Sequence, residues 1–317
     1  MAQHVIVGAG TIGSALALHL AADGHAVRLV TRSGSGPRHE SVERVAADAA
    51  DGDRLAGLSR GAVALYNCAN PPYHRWSLDW PPLSAALLTA AERSGAVLVA
   101  TANLYGYGPV DGPMTEDTPL AAADGTKGAV RNRMWRDALA AHEAGRLRTT
   151  EARASDFYGP GLRMTSHLGE HFVPRLLAGR RPRVMQGDLD APHSFTHVDD
   201  VASTLAVLAA DERAWGRPWH VPTAPAVTLR EVATRMAAVA GVPDRGVQVL
   251  PRAAVHLGGL AVPFLRELGE VRYQFAAPFV LDSSRAQEVF GLSPVPFDQG
   301  LAQTVAWWRE QQRTAAA

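Results

Sequence analysis

The sequence predicts an α/β protein: a doubly wound parallel sheet with a smaller C-terminal lobe. Three observations predict it. Short apolar runs alternate with helical patterns through the first half of the chain, and a glycine-rich turn stands between the first run and the first helix. Beyond Gly161 the alternation gives way to proline-interrupted segments. Together these describe a Rossmann-type core followed by a different kind of structure.

Residues 4–7 form an apolar run that ends in glycine, and Thr11–Ala22 then places Ile12, Leu16 and Leu20 at helical spacing. Asp23-Gly24 stops that helix, and Ala26–Thr31 (AVRLVT) resumes as a second strand. Val42–Ala46 reads as a third strand. Residues 63–67 and 97–100 read as a fourth and a fifth, separated by a helix over 83–93. A helix from about 127 to 144 and a strand at Thr149–Ala154 complete a six-strand core that leads into the loop FYGPG. Prolines 174, 182, 192, 218, 222 and 225 interrupt the chain beyond Gly161. Helices are predicted at Leu229–Ala240, Ser284–Phe290 and 301–311, with a frayed end at 314–317. The domain division is therefore a core of 1–165, with a return segment at 195–222, and a lobe of 166–194 and 223–317.

At 47% hydrophobic content, 317 residues suffice for one large core or a core with a lobe. The 31 basic and 31 acidic residues balance, so no net field draws nucleic acid or anionic lipid. The single cysteine, Cys68, excludes an intramolecular disulfide and reads as a small buried hydrophobe. No secretory start and no apolar stretch of about 18 residues is present, so the expectation is a cytoplasmic protein without membrane contact. His167-Leu168-Gly169-Glu170-His171 matches H-x-x-E-H, but its glycine weakens a helix and no metal is expected there. His193 and His197 flank a strand at 195–196 and read as structural.

The run Gly8-Ala9-Gly10-Thr11-Ile12-Gly13 fits G-x-G-x-x-G between a strand and a helix, the context that gives the pattern its meaning. Gly8 permits the tight turn, Gly10 lets the backbone approach a pyrophosphate, and Gly13 lets the helix pack on the strand. With Thr11 and Ile12 opening the helix, exposed amides meet phosphate charge, which predicts a pyridine dinucleotide. At the end of the second strand Val30-Thr31-Arg32-Ser33 offers an arginine where NAD-specific sites carry an acid, favouring NADP, with NAD as the alternative. Asp48, past the third strand, is expected to face the adenine.

The glycine motif, TANLYG at 101–106, EDTPL at 116–120, FYGPG at 157–161 and FTHVDDVA at 195–202 occur in an order and spacing that resembles the extended short-chain dehydrogenase/reductases, the NAD(P)-dependent epimerase/dehydratase group. The resemblance spans most of the chain. It implies that Asn67 and Ala69 line the cofactor, that Thr101 hydrogen-bonds the reacting oxygen, and that Tyr158 packs beside the nicotinamide. It also implies a Y-x-x-x-K pair, but that pattern falls on Lys127-Gly128-Ala129-Val130-Arg131, so both members are replaced. Four residues apart on one helix face, Lys127 and Arg131 repel, and burial adds to the preference for a neutral lysine. The expectation is that Lys127 exchanges the proton and Arg131 holds the ribose or phosphate. Tyr105 and Tyr107 offer a second route to a phenolic acid, and Tyr73, His74 and Trp76 an aromatic lip over a substrate.

These observations predict an NADP(H)-dependent oxidoreductase acting on a small carbonyl, hydroxyl or imine-type compound. A nucleotide-sugar epimerase or dehydratase, or a non-catalytic NADP-binding sensor, are the alternatives. The resemblance implies pairing through the two long core helices for a homodimer.

Overall fold

The computed structural model describes residues 1–164, 166–259, 266–267 and 269–316. Parts of the lobe expected at 166–194 and 223–317, and the last of the residues expected to fray, Ala317, thus lie outside the described residues. Among the described residues, β1 (Gln3–Val7), β2 (Ala26–Thr31), β3 (Val42–Ala46), β4 (Ala64–Asn67), β5 (Val97–Asn103), β6 (Thr149–Ala154) and, later in the chain, β10 (Pro218–His220) form one parallel sheet. Its order is β10-β6-β5-β4-β1-β2-β3. The order reverses beside β1, the crevice where doubly wound sheets take ligands.

The sheet has seven strands rather than the six expected. β10 is only three residues long and opens on a proline, which an edge strand tolerates because one side of it needs no donor. Trp219, 2% exposed, anchors it.

Period-two alternation sorts the strands' side chains between two layers. Ile6, Val27 and Leu29 face α1 (Thr11–Ala22) and α6 (Val198–Ala210). Val5, Val7, Leu65 and Leu98 face α3 (Trp76–Ser94), with α2 (Gly52–Leu58) and α4 (Lys127–Glu143) in the same layer. The helix read as starting at residue 83 begins at Trp76 and carries Pro81 and Pro82 inside it. An interior proline costs about 3 kcal/mol, and the complete burial of Trp76 and Trp80 against the sheet offsets this.

The C-terminal lobe packs around Phe172, Val232, Met236, Leu301, Val305 and Trp308. It holds α5 (Val173–Leu177), α7 (Leu229–Ala240), α8 (Arg252–Gly259), α9 (Tyr273–Ala276), α10 (Ser284–Phe290) and α11 (Phe297–Ala316). Thr228 and Glu231 form a reciprocal capping box on α7, and left-handed Gly241 stops it. α11 continues through 314–316, where fraying is expected, and the Thr314 hydroxyl donates to the Glu310 carbonyl. Part of the loop read after β6 is instead β7 (Asp156–Tyr158), paired with β9 (Phe195–His197). A second short pair joins β8 (Arg183–Val184) to β11 (Gln248–Val249).

Candidate functional site

The register aligns Val7 with Val30 and with Asn67, so the loops after β1, β2 and β4 leave the sheet at one level. They line a cleft of about 630 Å³. Gly8 has φ +99°, and a Cβ there would lie 2.7 Å from the Cys68 carbonyl oxygen. At Gly13 a Cβ would lie 1.9 Å from the Gly8 carbonyl oxygen, whereas at Gly10 it would meet nothing within 4 Å. The backbone is thus locked on both sides and open in the middle. No side chain caps α1 and no acid stands in its first turn, leaving its first amides to an anion. This cradle has the room and the polarity for a pyrophosphate.

Around it, the Thr11 hydroxyl donates to the Gly161 carbonyl at 3.0 Å, tying the FYGPG loop to the glycine turn. Ile12 is buried in the core. Buried Asn67 accepts the Ala69 amide at 3.3 Å and shapes the turn from which Ala69 lines the cleft. Arg32, Ser33 and Asp48 line the opposite wall. Asp48 accepts the Ala50 amide at 3.0 Å, and Arg75 is held by both carboxylate oxygens of Asp79 at 2.8 and 2.7 Å. Among the described residues, Arg32 makes no hydrogen bond or salt bridge and stands exposed at the mouth.

At the carboxyl end of β5 the Thr101 hydroxyl lies 3.5 Å from the Cys68 sulfur, and burial pushes the Cys68 thiol up to about 12. Lys127 opens α4 behind its cap, Thr126. The expectation of a neutral lysine is corrected here. The Lys127 Nζ is 2.5 Å from Glu267 and 2.8 Å from Glu270, and Glu270 also accepts the Lys127 amide. Burial opposes the charge, but these two carboxylates outweigh it and raise the lysine above its ordinary value. Arg131 points elsewhere: its guanidinium lies 4.7 Å and 4.6 Å from the rings of Trp76 and Trp80 and donates to the Thr101 carbonyl at 3.4 Å. Its Nε is buried without a hydrogen-bond partner, and burial depresses the group. Lys127 and Arg131 therefore avoid the repulsion expected from their spacing, and Arg131 reaches the backbone under Thr101 rather than the cleft wall.

Tyr105 and Tyr73 join hydroxyl to hydroxyl at 2.8 Å, with the Lys127 ammonium 5.7 Å above the Tyr73 ring. Burial raises both phenols, while the hydrogen bond with Tyr105, and less so Arg131 and Lys127, pull Tyr73 part of the way back. The nucleotide cleft runs to Pro71 and Pro72, and Tyr73 begins a second, smaller cavity of about 50 Å³ shared with Tyr105, Asp156, His167 and Gln186. Of the expected lip, Tyr73 lines this cavity, His74 is exposed and Trp76 is buried beneath Arg131.

Two tyrosines lie away from it. Tyr107 is buried between Arg153, which donates to its oxygen at 2.9 Å, and His220 Nε2 at 2.7 Å. Tyr158 is corrected from its expected place beside the nicotinamide. It is 1% exposed and packs on His197 and Phe297, because β7 pairs with β9 and turns this side chain into the lobe's core. The H-x-x-E-H residues run as turns, with His167 stacked on Phe275 at 3.7 Å.

Glu267 and Glu270 carry no signal in the sequence, since they meet Lys127 from about 140 residues away. Asp156, on the cavity wall, meets His193, which the sequence read as structural, at 2.8 Å.

A model of the NAD dependent epimerase/dehydratase family matches residues 4–221. No curated protein matches the chain. Solved structures share its fold at low identity. A dTDP-glucose 4,6-dehydratase from Bacillus anthracis in complex with NAD is 18% identical, with a TM-score of 0.80 over 99% of this chain and 98% of that one. A UDP-glucose 4-epimerase from Thermotoga maritima with UDP-glucose is 20% identical, with a TM-score of 0.80 over 98% and 99%. An enzyme of Bordetella bronchiseptica in complex with NAD+ is 21% identical, with a TM-score of 0.74 over 98% and 99%.

Proposed function

The chain belongs to the NAD-dependent epimerase/dehydratase family, and from that footing we propose that it is an NADP(H)-dependent oxidoreductase acting on a small carbonyl, hydroxyl or imine-type compound. The observation that carries this reading is the hydrogen-bonded phenol pair Tyr105–Tyr73 on the wall of a small cavity, one residue along the chain from Pro72 of the nucleotide cleft. At about 50 Å³ this cavity falls far below the roughly 300–1,000 Å³ of sites that enclose larger ligands. That favours a small compound over a nucleotide sugar such as the UDP-glucose bound by the Thermotoga epimerase.

Gly8, Gly10, Thr11 and Gly13 would cradle the pyrophosphate, Asn67 and Ala69 shape the turn beneath it, and Arg32 with Ser33 take the 2′-phosphate. The cofactor, when bound, supplies or accepts the hydride. Thr101 orients the reacting oxygen, Tyr105 in its bond with Tyr73 gives or takes the proton, and Lys127 stays a fixed ammonium beside them. Arg131 holds positive charge under Thr101, where negative charge develops on that oxygen.

The test is NADPH consumption with a panel of small aldehydes, ketones and imines, repeated for Tyr105→Phe. Turnover that falls by about 10²–10⁴ in the variant, the usual worth of a positioned acid–base group, supports the reading. Equal turnover removes Tyr105 from the role. An NMR-detected change of sugar configuration without net redox would favour the epimerase alternative instead.

A further inference from the structure

The protonation of the phenol pair poses a problem that the structure answers. Once Tyr105 has given its proton to a substrate oxygen, it must recover one before the next turnover. Arg131 stands where the family pattern carries a lysine, and a guanidinium is effectively never deprotonated, so it cannot pass a proton on. Lys127 is committed to Glu267 and Glu270. Besides water, one further group on the cavity wall can hand a proton to the pair.

Asp156 follows β6 by two residues and lines the cavity with Tyr73 and Tyr105. One carboxylate oxygen meets His193 Nε2 at 2.8 Å, and the other has no hydrogen-bond partner among the described residues. The His193 ring, 3% exposed, is stacked on Phe275 at 4.5 Å and Phe279 at 5.3 Å, so it cannot turn. Its Nδ1 faces the Gln274 carbonyl at 3.1 Å. A carbonyl only accepts and a carboxylate accepts unless protonated, so both ring nitrogens face acceptors. A neutral imidazole with an ionised carboxylate leaves one of these contacts unmade, whereas one added proton satisfies both. The ionisable groups around Asp156 are His193, His167, Tyr73, Tyr105 and Tyr273, and Arg163, Glu170, His171 and Arg183 line the same cavity.

We propose that Asp156 and His193 hold a shared proton at the cavity wall and return it to the Tyr105–Tyr73 pair after each turnover. The inference rests on the oxidoreductase reading. With a bound nicotinamide cofactor to supply the hydride, Tyr105 would give its proton to the carbonyl oxygen, so that the alcohol leaves a phenolate behind. The phenolate then takes the proton held by Asp156 and His193, and water restores it to them. Asp156 exchanges the proton, and His193 is a positioning residue that acts through it.

The experiment uses Asp156→Asn and His193→Gln in the whole protein, with NADPH and methylglyoxal as probes. In both variants NADPH affinity is expected to stay within about twofold of the parent, with single-turnover reduction preserved and steady-state turnover down at least tenfold. A variant slowed equally in both regimes, or in neither, overturns the proposal. If the parent binds no NADPH or reduces no methylglyoxal, the fault lies with the oxidoreductase reading, and the proton is read directly instead. ¹⁵N–¹H spectra of histidine-labelled protein, with His193 assigned by its loss in His193→Gln, should show two N–H groups on that ring at neutral pH and one in Asp156→Asn. A bare nitrogen in the parent, with no Asp156 carboxyl proton donated to it, overturns the shared proton.

Discussion

At the scale of single residues, the site turns on where two cations and two phenols point. Lys127 keeps its charge because two acids enclose it, so it is expected to support the site without exchanging protons. Lys127→Met leaves Glu267 and Glu270 facing each other without a counter-charge. Breaking a fully buried pair costs about 3–5 kcal/mol, but these carboxylates keep 24% and 32% exposure, so the expected loss is nearer 1–2 kcal/mol. Thermal melting should show that loss while turnover falls less than in Tyr105→Phe. A lysine variant as inactive as the tyrosine variant would return the proton-exchange role to Lys127. Spacing alone predicted the opposite protonation state because an i, i+4 rule sees only the helix that carries the pair, whereas the deciding acids come from the far lobe.

At the scale of elements, the strand–turn–helix unit around Gly8 was legible because each glycine answers a local demand. The structure separates those demands. Gly13→Ala would drive a Cβ into the Gly8 carbonyl, so the turn must shift, at a cost of about 1–3 kcal/mol or more, with a lowered melting point. Gly10→Ala meets open space and extended backbone, so the melting point should hold while NADPH affinity falls at least tenfold, since the methyl stands where the pyrophosphate approaches. Equal melting losses in the two variants would contradict this division. Other elements were less legible. The start of α3 was hidden by Pro81 and Pro82, whose local cost is overcome only by burying Trp76 and Trp80 against strands distant in sequence. The edge strand β10 is too short for a periodicity, and Tyr158 was misplaced because its direction is set by the pairing of β7 with β9.

At the scale of the whole molecule, buried titratable groups predict how stability responds to acid. His4, His167 and His220 are pushed down to about 4, chiefly by burial, so between about pH 6.5 and 4 the unfolded chain binds protons there that the folded chain does not. Stability is therefore lost as pH falls through this window. Asp200 works the other way: burial raises it to about 7, so the folded protein holds a proton that the unfolded chain lacks. Three against one leaves a net uptake of about two protons on unfolding, and His197, also lowered by burial, adds to it. The expected slope is about 2–3 kcal/mol per pH unit near pH 5. Chemical denaturation at pH 7, 6 and 5 checks it, and a flat profile would contradict the burial of these histidines. The nucleotide preference also belongs to this scale, because it depends on a cleft assembled from the ends of separate strands. It is tested most directly by titrating the protein with NADPH and NADH at matched ionic strength, alongside Arg32→Ala. The account predicts tighter binding of NADPH and a selective loss of about 1.5–3 kcal/mol, roughly 10- to 100-fold, in the variant. Equal affinity for the two nucleotides, or an NADPH affinity indifferent to Arg32→Ala, would contradict it.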